Sequence, residues 1–397
     1  MDPIQQSTEV SFRSHVRQWL IAHLPEGWDP TSTRTAPMEE RLRHFGRGWE
    51  RRLLNAGLNG LSWPVEFGGQ GATIAEEMVL LEESARLNIP ESINNVAKTM
   101  LGPTLMAHGT IEQQQRYLGR ILSGEHIWCQ VFSEPDAGSD LANIRTTAER
   151  VMGGWSVHGQ KLWTSRAQYS DRCFAIVRTD AESQRRAGLS VLLVALDQPG
   201  VAVRPLRQAN GDDEFNEVWF DGALVADADV LGGVGDGWRV ARTILSYERG
   251  TAHFGRHVRF RRQLEQLIKL ATGLEISGVP ATTHAHYRDQ FMEALAESEI
   301  YRLLTRRELG RLQSEEVGMQ GSFLKLFWTE MYQRQERLAL ELLGPHADLL
   351  DGPGALDEDR HGLRYLSALS RSIAGGTSEI QRNIVAETTL GLPRGAR

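Results

Sequence analysis

Cysteine is scarce in this chain. Cys129 and Cys173 are the two cysteines among 397 residues, too few for a disulfide framework or a cysteine metal site. The first 17 residues are polar and lack the apolar segment of a signal peptide. No stretch reaches the ~18 consecutive apolar residues that a membrane span requires. We therefore expect a cytoplasmic protein with no membrane span and no bound metal.

An excess of positive charge is also missing. The formal net charge is −7 and the pI is about 6.0, which argues against nucleic acid as a partner, because its binders usually present a basic face. The sequence has no phosphate-binding loop and no GxGxxG fingerprint. Its glycines between residues 232 and 237 lack the spacing of a Rossmann dinucleotide site, so that class of site is disfavoured.

The hydrophobic pattern divides the chain into three regions. Residues 1–125 carry apolar side chains at helical spacing, as at Phe12 and Val16. Residues 126–235 contain short runs rich in β-branched and aromatic residues between glycine-containing turns, which predicts a mostly antiparallel sheet or small barrel. Residues 236–397 return to long helical patterns. Helices, then a sheet, then helices predict an α+β fold. The predicted strands lie at 128–132, 155–157, 174–177, 189–196, 201–203 and 218–220.

Three segments of the sequence form a specific set of motifs. Residues 131–141 read VFSEPDAGSDL, residues 155–165 read WSVHGQKLWTS, and residues 375–383 read GGTSEIQRN, with LGLPR following at 390–394. The first two are similar to the SEP-x-AGSD and W-x-V-x-G-x-K-x-W-x-T/S signatures of the acyl-CoA dehydrogenase family. Since the three motifs occur in the family's order and cover most of the chain, the sequence resembles that family as a whole.

The resemblance implies a fold and a cofactor. The fold would have an N-terminal helical domain over residues 1–125, a central β-domain over 126–235 and a C-terminal four-helix bundle over 236–397. FAD would be held between the β-domain and the bundle. The cofactor-binding residues implied at matching positions are Gln130, Phe132, Ser133, Gly138, Ser139, Trp163, Ser165, Thr377 and Glu379.

Particular flavin contacts follow from the same resemblance. Ser133 and the backbone near it would contact the pyrimidine edge of the flavin, Trp163 would cover one face of the ring system, and Ser165 would hydrogen-bond near N5. The small residues at 137–139 let backbone N–H groups approach a pyrophosphate. An aromatic wall with a nearby hydroxyl suits a flavin because it fixes the ring and steadies charge on its reduced form.

These residues also have ordinary structural interpretations. Without the joint pattern, Trp163 is a sheet core residue, and Ser133 and Ser139 are turn residues. By resemblance, Thr377 and Glu379 lie near the adenosine and phosphate part of FAD. A glutamate in the first turn of a helix, however, commonly interacts with the helix dipole. The three motifs taken together favour cofactor contacts, and for Glu379 both interpretations stay open.

The position of the catalytic base departs from the usual family pattern. Most members have a glutamate just before the Gly-Thr of the last motif, where this chain has Gly375. A minority keep the base on an earlier helix, in a Leu-x-x-Glu-Arg segment, which is present here from Leu245 to Arg249. The resemblance therefore implies Glu248 as the base. It also implies that Arg249 orients the substrate or the base, and that the backbone N–H of Gly375 binds the thioester carbonyl.

The helical pattern around Glu248 supports the same assignment. Trp238, Ala241 and Leu245 recur at a spacing of three to four residues, and Glu248 falls on the same stripe. An apolar environment raises the pKa of a carboxyl group, which suits a base that removes a weakly acidic proton near neutral pH. The alternatives are a buried glutamate paired with an arginine and, for Arg249, a solvated surface side chain.

A second departure concerns the half of the FAD site that a neighbouring subunit supplies in the family. The Arg-x-x-Phe-Gly segment is missing around residues 273–278, and the Gln-x-x-Gly-Gly segment reads Glu341-Leu-Leu-Gly344-Pro345. Two assemblies remain open. One is a homo-oligomer that holds the adenine by other groups, and the other is a hetero-oligomer with a second acyl-CoA dehydrogenase-like chain.

The implied function is FAD-dependent α,β-dehydrogenation of an acyl-CoA or carrier-bound acyl thioester. Electron-transfer flavoprotein or a similar acceptor would take the electrons. Two alternatives stay open: a flavin-dependent oxidase or monooxygenase on the same fold, and a non-catalytic subunit that completes a partner's FAD site. The identity of the acyl chain cannot be read from the sequence pattern.

Overall fold

The computed structural model describes residues 3–248, 254–313, 321–349 and 360–393. The chain forms two compact units, each assembled from separate stretches of sequence. The sheet unit consists of Met38–Ala72 and Glu91–Ala252. The helical unit consists of Met1–Pro37, Thr73–Pro90 and His253–Arg397.

The described residues form α-helices in both units. In chain order they are α1 (Pro3–Ala22), α2 (Met38–Phe45), α3 (Arg47–Asn55), α4 (Ile74–Arg86), α5 (Gly102–His108), α6 (Ile111–Ser123), α7 (Gly237–Glu248), α8 (Arg256–Thr272), α9 (Ala285–Gln313), α10 (Gly321–Leu343), α11 (His361–Arg371) and α12 (Ser378–Ile384). Sequence signals fix several helix starts. Thr73 and Thr110 each form a capping box, with Glu76 and Gln113 respectively, which satisfies N–H groups at the first turns of α4 and α6.

An eight-stranded sheet forms the centre of the sheet unit. Its strands are β1 (Trp128–Val131), β2 (Thr147–Val151), β3 (Gly154–Ser165), β4 (Arg172–Arg178), β5 (Leu189–Ala195), β6 (Val201–Leu206), β7 (Phe215–Ala226) and β8 (Val230–Leu231). The strand order is β6-β7-β3-β2-β4-β5-β8, with β1 beside β4. The pairs β1–β4 and β2–β4 are parallel, and the other pairs are antiparallel.

Both faces of the central strands are buried. On β4, Cys173 and Ala175 face one hydrophobic core, formed among the strands themselves. Phe174 and Ile176 face a second core, which also contains residues of α5, α6 and α7. Alternate side chains of a strand point to opposite faces, so this double burial explains why β4 and β5 read as continuous apolar runs. Helix α7 packs against β5, α5 and the π-helical turn Ala97–Leu101.

Charged side chains join the first helix of the chain to later helices within the helical unit. Arg13 of α1 lies 2.7 Å from Glu82 and 2.8 Å from Glu83 of α4, and His257 of α8 lies 3.2 Å from Glu82. Burial opposes the ionisation of Glu82, but His257 and Arg13 outweigh it and hold its pKa at about 2. The unit therefore depends on contacts between distant parts of the sequence, since Glu82 binds side chains of both the first helix and α8.

The predicted α+β class is confirmed, with helices before and after a central, mostly antiparallel sheet. Each predicted strand run overlaps an observed strand. The strands β2 and β8 and the small hairpin of β9 (Glu275–Ile276) and β10 (Val279–Pro280) were not predicted. Strand β2 has one fully buried residue, Ala148, and β8 has two residues, so neither carries a readable period. No described helix is long and apolar enough to span a membrane.

Candidate active site

A buried ion pair holds the first motif against the second. The ammonium of Lys161, on β3, lies 2.9 Å from the Glu134 carboxylate and donates to the carbonyl oxygens of Phe132 (3.0 Å) and Ile176 (2.7 Å). Lys161 is fully buried, and its three N–H groups match these three acceptors. Glu134 also accepts from the backbone N–H groups of Arg145 and Thr146. The loop over residues 132–146 is thereby fixed at both ends.

Both members of this pair are charged at neutral pH. Burial lowers the pKa of Lys161 to about 8, although the Glu134 carboxylate opposes that effect. Burial by itself would raise the pKa of Glu134, but the Lys161 ammonium and the hydrogen bonds to the carboxylate hold it below its usual value. A buried charge without a partner is costly, so each group depends on the other.

Trp163 is held on the surface by an unusual backbone. Its φ is 61°, in the left-handed region, and it lies where the pairing of β3 with β7 shifts between Lys161 and Thr164. Bulges of this kind redirect a side chain, and 59% of Trp163 is exposed. Its ring contacts Phe215 edge-on, with centroids 6.1 Å apart. Trp163 is therefore not a core residue in this chain, and its conformation costs about 1–3 kcal/mol, typical of functional positions.

Ser133 and Ser165 lie on the segments next to this tryptophan. The Ser133 carbonyl accepts a hydrogen bond from the N–H of Leu162 at 2.9 Å, which joins the first motif to β3 just before Trp163. Ser165 is exposed at the end of β3. After it, Arg166 turns the chain with a φ of 60° and forms an ion pair with Glu214 at 2.5 Å.

Gly138 and Ser139 follow a tight turn. Glu134 and Ala137 exchange two backbone hydrogen bonds of 3.1 Å, after which Gly138 and Ser139 are exposed. Within the part of the chain that the structure describes, their N–H groups have no hydrogen-bond acceptor. No atom would crowd a Cβ at Gly138. The two N–H groups are therefore available to an anion such as a phosphate.

Gln130 and Phe132 begin the same segment. Gln130 is half-buried on β1, opposite Phe174 of β4. Phe132 is buried and packs edge-on against Phe174 at 5.9 Å. Its side chain belongs to the core, so any cofactor contact from Phe132 would come from its backbone.

Helix α7 places the candidate base at its carboxyl end. Ala241 and Ile244 are fully buried and Leu245 is partly buried, so the predicted apolar stripe is present on this helix. Glu248 is the last helical residue, four positions after Ile244, and its spacing continues the stripe. The Glu248 side chain and all of Arg249 lie outside the described residues.

The third motif forms a loop and a helix start in the helical unit. Gly375 and Gly376 both have positive φ, at 68° and 89°. Thr377 caps α12 by accepting from the N–H of Ile380 at 3.2 Å. Hydrogen bonds from its own backbone N–H and from Thr377 lower the pKa of Glu379, as expected in a first turn. At Gly375 a side chain would cost about 1–2 kcal/mol in this backbone conformation.

The structure thus groups the candidate residues into two sets. The sheet unit contains Glu248 at the end of α7 and seven further candidates on β1, the loop after it and β3: Gln130, Phe132, Ser133, Gly138, Ser139, Trp163 and Ser165. Gly375, Thr377 and Glu379 share the helical unit. The roles of Lys161 and Glu134 were not predicted, although both stand inside quoted motifs. A lysine inside the second motif, followed by Leu162 and Trp163, was the available signal.

The sequence matches three domain models of one family over nearly its full length. They are the N-terminal domain of acyl-CoA dehydrogenase at residues 7–125, the middle domain at 129–223 and the C-terminal domain at 235–390.

Individual relatives agree with these matches. The chain is 40% identical over 394 residues to acyl-CoA dehydrogenase IpdE1 of Mycolicibacterium smegmatis, covering 96% of this chain and 97% of that protein. Among solved structures, the Tcur3481-Tcur3483 steroid ACAD has a TM-score of 0.84 at 28% identity, covering 100% of this chain and 99% of that one. The ChsE4-ChsE5 complex from Mycobacterium tuberculosis has a TM-score of 0.83 at 27% identity, with the same coverage.

The buried pair provides a stability prediction. Replacing Lys161 by Met leaves the Glu134 carboxylate buried without a cation, so we expect Lys161→Met to lower the free energy of unfolding by about 3–5 kcal/mol. Adding Glu134→Gln should recover part of that loss, because the unpaired charge is then removed. Urea unfolding followed by tryptophan fluorescence measures both changes.

Arg145→Met is the matched control, because its ion pair with Asp136 belongs to the same loop but is exposed. Exposed pairs contribute little, so this variant should unfold like the wild type. Wild-type stability of Lys161→Met would contradict the role given to the buried pair.

Proposed function

Because the chain belongs to the acyl-CoA dehydrogenase family and is therefore an oxidoreductase that acts on CH–CH groups, we propose that it introduces an α,β double bond into a ring-containing acyl-CoA thioester. The observation that carries the flavin-dependent reaction is Trp163, a large exposed aromatic side chain held outward by a strained backbone. A strained and exposed indole of this kind is typical of a surface that a ligand or partner covers, and we propose a flat ring system as the ligand.

The residues around Trp163 fit FAD. The indole offers a flat apolar surface to the ring system, and Ser133 and Ser165 offer polar groups on the adjoining segments. The N–H groups of Gly138 and Ser139 suit the pyrophosphate, since both are exposed and without an acceptor among the described residues. Gln130 and the backbone of Phe132 complete this set. FAD bound there would accept the hydride that leaves Cβ of the substrate.

Glu248 is the proposed base that takes the proton from Cα. It ends the apolar stripe of α7 that contains Ala241, Ile244 and Leu245, and an apolar environment raises the proton affinity of a carboxylate. Arg249 is the proposed orienting residue. The positive φ of Gly375 favours glycine, which is consistent with a base that stands elsewhere.

Gly375 is proposed to bind the thioester oxygen through its backbone N–H. Negative charge develops on that oxygen as the α-proton leaves, and donors that are already in place stabilise it. Thr377 and Glu379, which follow in the same motif, are proposed to lie near the adenosine and phosphate part of FAD. Both are held at the start of α12.

The proposed substrate class rests on relatives. A solved structure with a TM-score of 0.84 is titled a steroid ACAD. We propose by analogy that the acyl group here carries fused rings rather than a straight chain. Electron-transfer flavoprotein or a similar acceptor is the proposed partner that reoxidises the enzyme.

The proposed assembly is a hetero-oligomer with a second acyl-CoA dehydrogenase-like chain. The hairpin β9–β10 occupies the stretch where the Arg-x-x-Phe-Gly segment is missing, and Glu341 forms an ion pair with Arg337 of its own helix at 3.2 Å. Helix α11 exposes Leu366 and Leu369 near its carboxyl end, at the spacing of one helical face, and Ile373 in the turn after the helix is exposed as well. A related solved structure is titled as a complex of two differently named proteins.

The role of Glu248 predicts a specific loss of activity. In Glu248→Gln the amide cannot accept the α-proton, so kcat should fall by at least about 10³-fold while FAD content stays unchanged. The measurement is turnover with a ferrocenium acceptor, on a panel of acyl-CoA thioesters that includes straight-chain and fused-ring acyl groups. The exposed Glu125 supplies a control, since Glu125→Gln should behave as wild type.

Wild-type turnover by Glu248→Gln would overturn the assignment of the base. Turnover of straight-chain thioesters alone would overturn the proposed substrate class and leave the base untouched.

Trp163 predicts a change in cofactor retention. Trp163→Ala removes a large aromatic contact area, so FAD should dissociate more readily during dialysis and the reduced enzyme should react faster with oxygen. Trp163→Phe keeps part of the flat surface and should give intermediate values. Equal FAD retention in all three proteins would argue against a flavin at this surface.

The assembly is tested by expressing the chain alone and together with a candidate second chain. We expect the chain alone to be poorly soluble or short of FAD, and co-expression to restore about one FAD per completed site. Light scattering of the chain expressed alone tests the opposite outcome. A homo-oligomer with one tightly held FAD per chain would reject the hetero-oligomer.

A further inference from the structure

We infer that Lys325 and Gln381 are positioning residues for the loop at Gly375 and Gly376, which they hold so that it can bind the thioester oxygen. The inference rests on the proposed function, since it deepens the role given to the Gly375 N–H. Both side chains lie in the helical unit with the loop itself.

Lys325 is a buried cation directed at the backbone of this loop. It lies one turn into α10 and is 3% exposed, and its ammonium donates to the carbonyl oxygen of Gly376 at 2.6 Å. Its neighbours Leu324 and Trp328 are buried apolar residues. Burying an ammonium in such surroundings costs free energy unless it is well paired. An apolar side chain of similar length would fill the same space without that cost.

Gln381, which comes later in the third motif, contacts the same loop. It lies on α12 and is fully buried, and its side-chain N–H group donates to the carbonyl of Gly375 at 2.8 Å and that of Gly376 at 3.4 Å. The contact also favours glycine at position 376, because a Cβ there would lie 2.7 Å from the Gln381 side-chain nitrogen. Two buried donors thus converge on two successive carbonyls.

Because the peptide bond is planar, a contact with a carbonyl oxygen also fixes the direction of the N–H group in the same plane. Each peptide plane carries a carbonyl and the next residue's N–H on opposite sides. Gln381 therefore fixes the plane between Gly375 and Gly376, and Lys325 fixes the plane after it. On the other side, the N–H of Ala374 donates to Ser370 at 2.9 Å. The plane that carries the Gly375 N–H lies between these fixed planes, so it can reorient only by a concerted rotation of ψ at Ala374 and φ at Gly375. The directly fixed donor of the loop is the Gly376 N–H, which shares its plane with the carbonyl bound by Gln381.

The loop also contains backbone N–H groups that can bind a ligand. Within the described part of the chain, the N–H groups of Gly375 and Gly376 have no hydrogen-bond acceptor. Both residues have positive φ, and successive N–H groups in such turns form concave anion sites. A catalytic oxygen that gains negative charge is stabilised by donors that need no reorganisation. Lys325 and Gln381 supply that rigidity without touching the substrate.

The test compares two ligands that differ at the carbonyl. One is the 2-enoyl-CoA of the acyl group that the wild type turns over fastest, and the other is the matching S-alkyl-CoA thioether, which lacks the carbonyl. Dissociation constants are measured on the FAD-loaded protein in its native assembly, for wild type, Lys325→Met, Lys325→Arg and Gln381→Leu. Lys269 is exposed on α8, so Lys269→Met controls for the chemical change itself.

We expect the wild type to prefer the thioester over the thioether. Lys325→Met and Gln381→Leu should lose about 10-fold or more of that preference and a similar factor in kcat, with thioether affinity unchanged. Lys325→Arg keeps a cationic donor, so it should keep most of the thioester preference and most of kcat. Lys269→Met should match wild type.

Two results would overturn the inference. An unchanged preference in folded Lys325→Met and Gln381→Leu would show that the loop needs neither side chain. An equal loss of affinity for both ligands would assign them a purely structural role. If Lys325→Met does not fold, Gln381→Leu gives the same comparison for the loop. If the wild type itself shows no preference for the thioester, the carbonyl donor proposed at Gly375 is wrong. That result contradicts the proposed function, and it is distinct from the two results above.

Discussion

The buried ammonium of Lys161 is the constraint on which the sheet unit's candidate site depends. It binds Glu134 and two backbone carbonyls at once, so β3 and the loop after β1 cannot move independently. Gly138 and Ser139 extend from that loop, and Trp163 follows Lys161 on β3 within the shift in strand pairing. The ion pair thus restrains the two segments that carry the exposed Trp163 ring and the N–H groups of Gly138 and Ser139, which have no acceptor among the described residues.

The helical unit also contains buried polar side chains that hold a backbone segment in place. There, Lys325 and Gln381 direct buried donors at the carbonyls of Gly375 and Gly376, and the loop's own N–H groups remain without acceptors among the described residues. In both units a polar side chain is buried in order to fix backbone rather than to react. Catalysis by positioned N–H groups requires this kind of support, because small displacements of a donor reduce its effect on a developing charge.

Much of the fold could be predicted from the sequence, because periodicity reports directly on which face of an element is buried. The runs at 174–177 and 189–196 predicted β4 and β5, and the stripe on α7 appeared as expected. The left-handed φ of Trp163 and the partners of Lys161 could not be predicted, since both depend on how distant strands pair. Lys325 was passed over for a related reason. Its role depends on the contact of its ammonium with a loop 51 positions away in the sequence, which no local pattern reports.

Single-turnover reduction under anaerobic conditions tests the central claim, that Glu248 removes the α-proton, most directly. FAD-loaded wild type and Glu248→Gln are each mixed with the best acyl-CoA thioester, and the visible flavin absorbance is followed without any electron acceptor. The wild type should bleach, and Glu248→Gln should bind the thioester yet keep its flavin oxidised, because hydride transfer requires loss of the α-proton. Bleaching of Glu248→Gln at the wild-type rate would contradict the assignment.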